Sequence, residues 1–368
     1  MFIVHAVQAQ FGDCLVLEYG SPGASRFMLI DGGPSENYAP YLKDALQKLV
    51  VPKGGAIERM VLSHVDTDHT NGLLDMLAEL RASRDAEEDE LVTIGGFWHN
   101  SFTSTLDPKG AMAPRIAQLQ TLNAMASMNH AGAAILGVTE GAALRREALF
   151  LEIPLNQDFQ DPIVVEACPD PATFGNLNVT IVGPTQANLD ELKAKWEDWL
   201  EANEQAIATA SPRVLANLDK SIPNLSSICF VAEADGKRGL FTGDARSDHT
   251  LKSLEAQGFL DAAGKVHFEL IKLAHHGSNR NVTRKFFDKV TADIYVVSAD
   301  GKDDNPDLAT LIWLVESAKD QNREIRIVAT NQTESTDKIV EEYPPDEYGY
   351  TLEFRPDDDN FVSVVLSA

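Results

Sequence analysis

Residues 63–72 read SHVDTDHTNG and place His64, Asp66, Asp68 and His69 on one short stretch. The run before it, IERMVLSH (57–64), is apolar and turns polar at its end, and the run after it, LLDMLAELRA (73–82), carries apolar residues at helical spacing. The unit reads as strand, loop and helix, with the chemistry in the loop. At the end of an extended segment alternate side chains point the same way, so His64, Asp66 and Asp68 can converge, while His69 is set by the start of the helix. Four such donors together have the density of a metal-ligand set. Imidazole suits zinc, iron or manganese, and carboxylates pull the preference toward harder ions. The competing reading is a solvated loop with Asp68 or Thr70 capping the helix. Two of the chain's 9 histidines lie here directly after an apolar strand, which favours the metal.

Outward from this loop, alternation and turn residues predict strands at 2–8, 13–19 and 26–31, a helix at 39–50 and a strand at 91–98 that ends in Trp98 and His99. Helical stretches follow at 112–136 and 185–208. The segment from about 100 to 215 is read as a helical and loop insertion in a single domain spanning 1–368. Strand patterns return at 177–183, 226–234, 238–242, 268–274, 293–299, 324–329, 349–355 and 361–366, with helices at 247–257, 283–290 and 307–318. Strand-rich halves with interspersed helices predict an α/β fold of two sheets packed face to face with helices outside.

The composition bounds the function classes. A chain of 368 residues with 44% hydrophobic and 24% charged content buries a sizeable core. The start has no basic segment before its apolar run, and no apolar stretch approaches the roughly 20 residues of a membrane span, so a cytoplasmic protein with no membrane partner is expected. Cys14, Cys168 and Cys229 stand apart and fit buried free thiols. A net charge of −25 and a pI near 4.6 oppose long-range attraction to nucleic acid.

The loop H-x-D-x-D-H resembles the H-x-H-x-D-H signature of metallo-β-lactamase fold hydrolases, in the ComEC-type variant with aspartate for the second histidine. Other stretches are similar in the same order: FGDCLVLEYG with FMLIDGG, LFTGDA (240–245) and IKLAHHGS (271–278). The resemblance implies a metallo-β-lactamase-like αββα sandwich of two mixed sheets. It also implies one or two divalent ions, zinc or manganese, with magnesium as a further candidate. Carried over by position, His64 and Asp66 hold one ion, Asp68, His69 and one histidine of the 275/276 pair hold the other, and Asp244 bridges. His276 is read as the ligand and His275 as a contact to the substrate phosphate or a proton carrier, with the reverse assignment open. Asp31 is expected to orient a ligand histidine, and Asp13 to do similar loop work. Ser278, Arg280 and Asn305 are the expected substrate contacts, with Arg284 a further cation for phosphate. His99 reads as a packed core residue before a functional one.

Two departures from the pattern stand out. The additional histidine of the first ion has no match, because PNLSSICF (223–230) offers Asn224 and Ser226 at that strand. The Gly-His-Pro element reads Asp304-Asn305-Pro306. The expected activity is metal-dependent hydrolysis, first of a phosphodiester. Because the chain is acidic, the expectation is either that a protein partner delivers nucleic acid or that the substrate is a small phosphodiester or nucleotide. Asp68 or His275 would handle the proton. Hydrolysis of a carboxylic ester, lactone or amide is the alternative, and a non-catalytic metal-binding regulatory subunit is the reading from another class.

Overall fold

The computed structural model describes residues 1–100, 132–204 and 223–368, with the backbone alone for 132–138. The predicted helix at 112–136 lies mostly outside these residues, as does the end of the one at 185–208. The first sheet begins as a meander of β1 (Phe2–Val7), β2 (Leu15–Ser21) and β3 (Ala24–Ile30), paired antiparallel. After a two-residue strand β4 (Ala56–Ile57), β5 (Arg59–Val61) joins β3 in parallel. Then β6 (Thr93–Ile94) pairs with β4, and β7 (Phe97–Trp98) pairs in parallel with β5. Gly95 and Gly96 separate β6 from β7, so the single strand expected at 91–98 is two short ones.

The second sheet has eight strands: β8 (Ala172–Phe174), β9 (Leu177–Gly183), β10 (Cys229–Ala234), β11 (Lys237–Phe241), β12 (Val266–Lys272), β13 (Val290–Val297), β14 (Ile325–Ala329) and β15 (Tyr350–Phe354). They follow one another in chain order, antiparallel from β8 to β11 and parallel from β11 to β15. The last strand, β16 (Phe361–Ser367), returns to the first sheet beside β1. Within the span read as an insertion, β8 and β9 are therefore members of this sheet.

Helices cover the outside: α1 (Lys43–Leu49), α2 (Thr67–Asp85), α3 (Gly132–Phe150), α4 (Gln186–Ala202), α5 (Ser247–Ala256), α6 (Arg284–Lys289), α7 (Leu308–Asp320) and α8 (Glu334–Glu342). Between the sheets Phe2, Leu17, Met28 and Trp98 meet Ile181, Phe230, Leu270 and Val296. Behind the first sheet Leu46, Leu73, Leu77 and Trp196 cover Val16, Leu29 and Met60. Behind the second, Leu254, Phe287 and Leu314 cover Leu240, Ile271 and Tyr295. Along β13, Ile294 and Val296 join the inner core while Tyr295 and Val297 join the outer one. That double burial explains why DIYVVSA is an unbroken apolar run. Each such side chain stabilises the fold by about 1.5–3 kcal/mol relative to exposure. The architecture is α/β, two mixed sheets face to face with helices outside, as the resemblance implies. Among the described residues no helix is long and apolar enough to cross a membrane.

The carboxyl ends of β3, β5, β11, β12 and β13 lead into the loops that hold Asp31, residues 63–69, Asp244, residues 275–278 and Ser298. Ligand sites of parallel α/β sheets collect at these ends. Two glycines let the loops close on the helix. A Cβ on Gly72 would lie 1.8 Å from the carbonyl oxygen of Gly32, and one on Gly12 would lie 1.9 Å from that of Asp68. Only hydrogen fits there, so the Asp31-Gly32-Gly33 turn and the Gly12-Asp13 loop pack directly on the first turn of α2. Gly32 N–H donates to the His69 carbonyl at 2.8 Å and Gly72 N–H to the Gly33 carbonyl at 3.0 Å.

Candidate metal centre

The strand before the loop ends at Val61, so the side chains of residues 64–68 do not converge by strand alternation as the sequence suggests. His64 lies in a bend, and Asp68 and His69 lie on the first turn of α2. Asp66 is the N-cap residue, with φ −76° and ψ 149°, yet its side chain makes no capping hydrogen bond. An N-cap aspartate ordinarily accepts from the backbone one turn ahead. Here the carboxylate turns away from the helix and lies 3.3 Å from His64 Nε2.

Asp244, just past β11, is the centre of the arrangement. Its Oδ2 lies 3.7 Å from His64 Nε2, 3.6 Å from His275 Nε2 and 3.9 Å from His276 Nε2, and its Oδ1 lies 3.4 Å from His69 Nε2. Asp68 Oδ2 lies 3.4 Å from His276 Nε2. Among the described residues three sets of donors are compact enough for one ion each, His64 with His69 and Asp244, Asp68 with His69 and His276, and Asp13 with Asp31 and His69. The Nε2 atoms of His64, His69 and His276 and Oδ1 of Asp244 are buried with no hydrogen-bond partner among the described residues. Buried polar atoms are almost always satisfied. Four orphans facing one another across more than hydrogen-bonding distance fit the residues of a divalent-cation site.

The charge balance points the same way. Burial would raise the Asp244 carboxyl, but the charges of His275, His69, His276 and His64 hold it well below the usual range. Burial opposes a charged His276, yet Asp13 and Asp244 push it up to about 10. Burial likewise opposes a charged His69, and Asp244, Asp31 and Asp68 raise it well above its ordinary value. The carboxylates demand positive charge at this spot, which protons on the imidazoles or metal ions can supply.

Each of the four histidines is held by its other ring nitrogen. His69 Nδ1 meets Asp31 Oδ2 at 2.9 Å, and Asp31 also accepts from Ser63 N–H and Ser63 O–H, each at 2.7 Å. These are the contacts an Asp31 that orients His69 would make. His276 Nδ1 donates to the Ser298 carbonyl at 3.0 Å and lies 3.2 Å from Asp13 Oδ1. The other Asp13 oxygen pairs with Lys272, and both residues are almost fully buried. His64 Nδ1 lies 3.1 Å from Ser63 Oγ. His275 Nδ1 meets Asn281 Oδ1 at 2.8 Å. Sequence reading did not single out Lys272, Ser298 or Asn281. Lys272 carries the one usable signal, a lysine inside the apolar strand FELIKLA.

The paired histidines share the site because the backbone turns left-handed at both, with φ 49° at His275 and 56° at His276, before Gly277 at 85°. The turn therefore begins two residues earlier than the glycine alone suggests. Non-glycine residues in this region are uncommon and concentrate at functional sites.

The remaining expected residues divide. Ser278 and Asn305 are both buried, and Pro306, next to Asn305, packs on Gly277. Arg280 is exposed on the same segment, with no acidic partner at ion-pair distance among the described residues. Arg284 is not available for phosphate, because Glu316, Asp320 and Asp288 already hold its guanidinium. His99 is fully buried and tilted over Phe97 at 4.7 Å, and burial pushes it down to about 3, as suits a neutral core ring. Asn224 and Ser226 lie in the 3-10 helix Pro223–Ser226, ahead of β10 and off the strand expected at 226–234, and both are buried.

No protein-family model matches the chain, and no curated protein matches it. Solved structures resemble it over their whole length. The metallo-β-lactamase fold protein YhfI from Bacillus subtilis is 9% identical, with 99% of each chain covered and a TM-score of 0.40. A diphosphatase from the PhnP family is 9% identical, covering 99% of this chain and 98% of its own, at 0.42. Zinc-bound PqqB from Methylobacterium extorquens is 12% identical, with 100% of each chain covered, at 0.41. Likeness at this level says nothing about the reaction, which has to be read from the side chains of the centre.

Proposed function

We propose that the chain is a metal-dependent hydrolase acting on phosphodiesters. The observation that carries this reading is the convergence of four imidazole Nε2 atoms on the Asp244 carboxylate, three of those nitrogens buried without a partner among the described residues. Divalent ions supply, when bound, the acidity that makes water a nucleophile at neutral pH and the charge that stabilises a developing oxyanion. His64, Asp66, Asp68, His69, Asp244 and His276 are the residues that would hold them.

The chain's own groups do the rest. Asp244 holds the halves of the site together from the end of β11. Asp68 is placed to take the proton: burial opposes its ionisation, but His69 and His276 keep it a carboxylate, and its side chain is 22% exposed toward solvent. Arg280, on the exposed continuation of the histidine segment, is a cation for a substrate phosphate, with Ser278 and Asn305 as polar contacts.

Three carboxylates among the donors favour manganese or magnesium more than an all-imidazole set would, and such ions suit phosphoryl oxygens. The net charge of −25 weighs against unaided capture of long nucleic acid. A small phosphodiester or nucleotide is the preferred substrate, and nucleic acid requires a partner to deliver it. Manganese-supplemented, chelator-controlled assays on bis-p-nitrophenyl phosphate, plasmid DNA and a lactone test the reading. Chelator-sensitive turnover of the phosphodiester that is lost in Asp68→Ala is expected. Turnover of the lactone alone would replace the phosphodiester with an acyl substrate, and stoichiometric metal with no hydrolysis of any class would make the site structural.

A further inference from the structure

We infer that Lys302 captures the phosphate anion of the substrate beside the metal centre, and that the ring of Phe11 holds its ammonium ready while the site is empty. The inference deepens the phosphodiesterase reading and rests on it for the identity of the substrate.

The loops around the centre place the pair. The Ser298 carbonyl accepts from His276 Nδ1 at 3.0 Å, and the Ser298 hydroxyl donates to the Gly12 carbonyl at 2.6 Å. Gly12 in turn packs directly on the Asp68 carbonyl. One residue before Gly12 is Phe11, half-buried, and four residues after Ser298 is Lys302, exposed. The Lys302 ammonium stands over the Phe11 ring, 3.1 Å from its centroid. The chain then returns to the centre, where Pro306 packs on Gly277 and Asp307 N–H donates to the Gly277 carbonyl at 3.2 Å. The contact thus joins the loop that packs on Asp68 to the loop that packs beside His276.

The company Lys302 keeps is the second observation. Asp300, Asp303 and Asp304 flank it within two residues, yet among the described residues no carboxylate lies at ion-pair distance from its ammonium. One Asp300 oxygen is taken by the backbone N–H of Lys302, at 2.9 Å. The loop that achieves this is left-handed at Gly301, Asp303 and Asp304, with φ of 92°, 53° and 62°. Left-handed non-glycine residues are uncommon and collect at active sites and ligand clamps. A carboxylate partner would neutralise the lysine, as Glu316 and Asp320 neutralise Arg284. An aromatic face instead restrains the ammonium and leaves its charge whole.

The third observation is electrostatic. Asp66, Asp68 and Asp244 line the centre and the chain carries a charge of −25, so a phosphodiester is repelled until cations offset these carboxylates. Arg280 and Lys302 are cations without an acidic partner among the described residues, and Asp307 ties together the segments that carry them. Asn279 N–H donates to Asp307 Oδ2 at 2.7 Å, one residue before Arg280, and Asp307 ends the loop in which Lys302 lies. A cation over an exposed ring is held weakly compared with a charge-assisted hydrogen bond to a phosphate oxygen. A phosphodiester therefore draws the ammonium off Phe11, and departure of the product lets it return. Because the resting side chain is already ordered, little rotamer freedom is lost on capture.

The test is a titration of the full chain, saturated with zinc and carrying isotopically labelled lysine, read by nuclear magnetic resonance. The ring current of Phe11 should displace one lysine side-chain signal upfield, and Lys302→Ala and Phe11→Leu should each abolish that displacement. Dimethyl phosphate should return the signal to the position of the other exposed lysines in a saturable way, and the neutral trimethyl phosphate should leave it displaced. A displaced signal that dimethyl phosphate does not move overturns the inference, as does one that sodium chloride moves equally at the same ionic strength. In hydrolysis of bis-p-nitrophenyl phosphate, Lys302→Ala should raise KM by about 10-fold and change kcat by about 2-fold or less, with the metal content of wild type. Lys302→Arg should recover most of that loss. Circular dichroism checks the fold of each variant, and an unchanged KM in a folded Lys302→Ala overturns the inference. A wild type that hydrolyses no phosphodiester refutes the proposed function, and the dimethyl phosphate titration then decides this inference alone.

Discussion

Four histidines turn Nε2 toward Asp244, and the pair His69 and His276 differs from the pair His64 and His275 in what stands behind the imidazoles. Behind His69 is Asp31, and behind His276 is Asp13, itself neutralised by the buried Lys272. Behind His64 is a serine hydroxyl, and behind His275 are two asparagine amides. Of the four rings only that of His275 is partly open, its side chain 29% exposed against 0% for His64 and His69 and 3% for His276. A carboxylate behind Nδ1 raises the basicity of the ligand and fixes its orientation more firmly than a neutral group does. The difference predicts that an ion in the closed half, held by the carboxylate-backed His69 and His276, would stay, and that one in the other half, beside His64, would bind more weakly.

The largest effect should come from Asp244, which both halves share. Asp244→Asn keeps the shape of the side chain and removes the charge, so both ions should be lost and hydrolysis should fall to the level of the metal-free protein. Turnover that persists in this variant, with its metal content verified, would break the comparison at its centre.

Next is the charged backing of the closed half. Asp13→Asn strands the Lys272 ammonium in the core, and breaking a buried pair costs about 3–5 kcal/mol, to be read by urea unfolding. Adding Lys272→Met to Asp13→Asn should recover most of that stability. It should not recover the affinity of the closed half, because His276 still lacks its carboxylate. Recovery of both would make the pair purely structural.

Asp31→Asn should weaken the tighter ion by about 10–100-fold and leave the looser one nearly unchanged. A calorimetric titration that shows equal losses at the two ions would mean that the halves do not differ in the way their backing suggests.

The smallest effect lies beside the closed half. Glu140 on α3 faces Asn71 of α2, whose amide, turned over, donates to it at 2.7 Å. Burial, opposed by Asn71 and reinforced by the charge of Asp75, raises its carboxyl to about 7. A raised folded-state value means that stability is fully present below about 4.5 and is lost as pH rises through 7. Glu140→Gln should therefore flatten the pH dependence and stabilise the protein at pH 8 by about 1–3 kcal/mol. An unchanged slope of stability between pH 5 and 8 would contradict this.

Much of the sandwich was legible because burial on both faces leaves unmistakable runs, such as DIYVVSA and FELIKLA, and because Gly and Pro mark their ends. The loop at 63–72 stood out as a candidate site through residue types alone. What it did not announce was geometry. Alternation cannot bring Asp68 to the site, since the strand stops at Val61 and the helix starts at Thr67, and only the freed N-cap of Asp66 reveals how the donors meet. Arg284 looked free because its partners Glu316 and Asp320 lie a helix away in sequence. Lys272 looked like an ordinary lysine, because a buried pair with Asp13 spans most of the chain. The helix running on to Phe150 and the one at Glu334–Glu342 were also missed, the first for its weak apolar periodicity and the second for its largely polar surface.

The most direct measurement is the number and affinity of manganese ions bound per chain, by equilibrium titration of metal-free protein against a graded series of chelators. Two ions of unequal affinity are expected, the tighter weakened by Asp31→Asn and the looser left in place. A single ion, no ion, or two ions of equal affinity that Asp31→Asn weakens alike would contradict a centre with one closed and one open half.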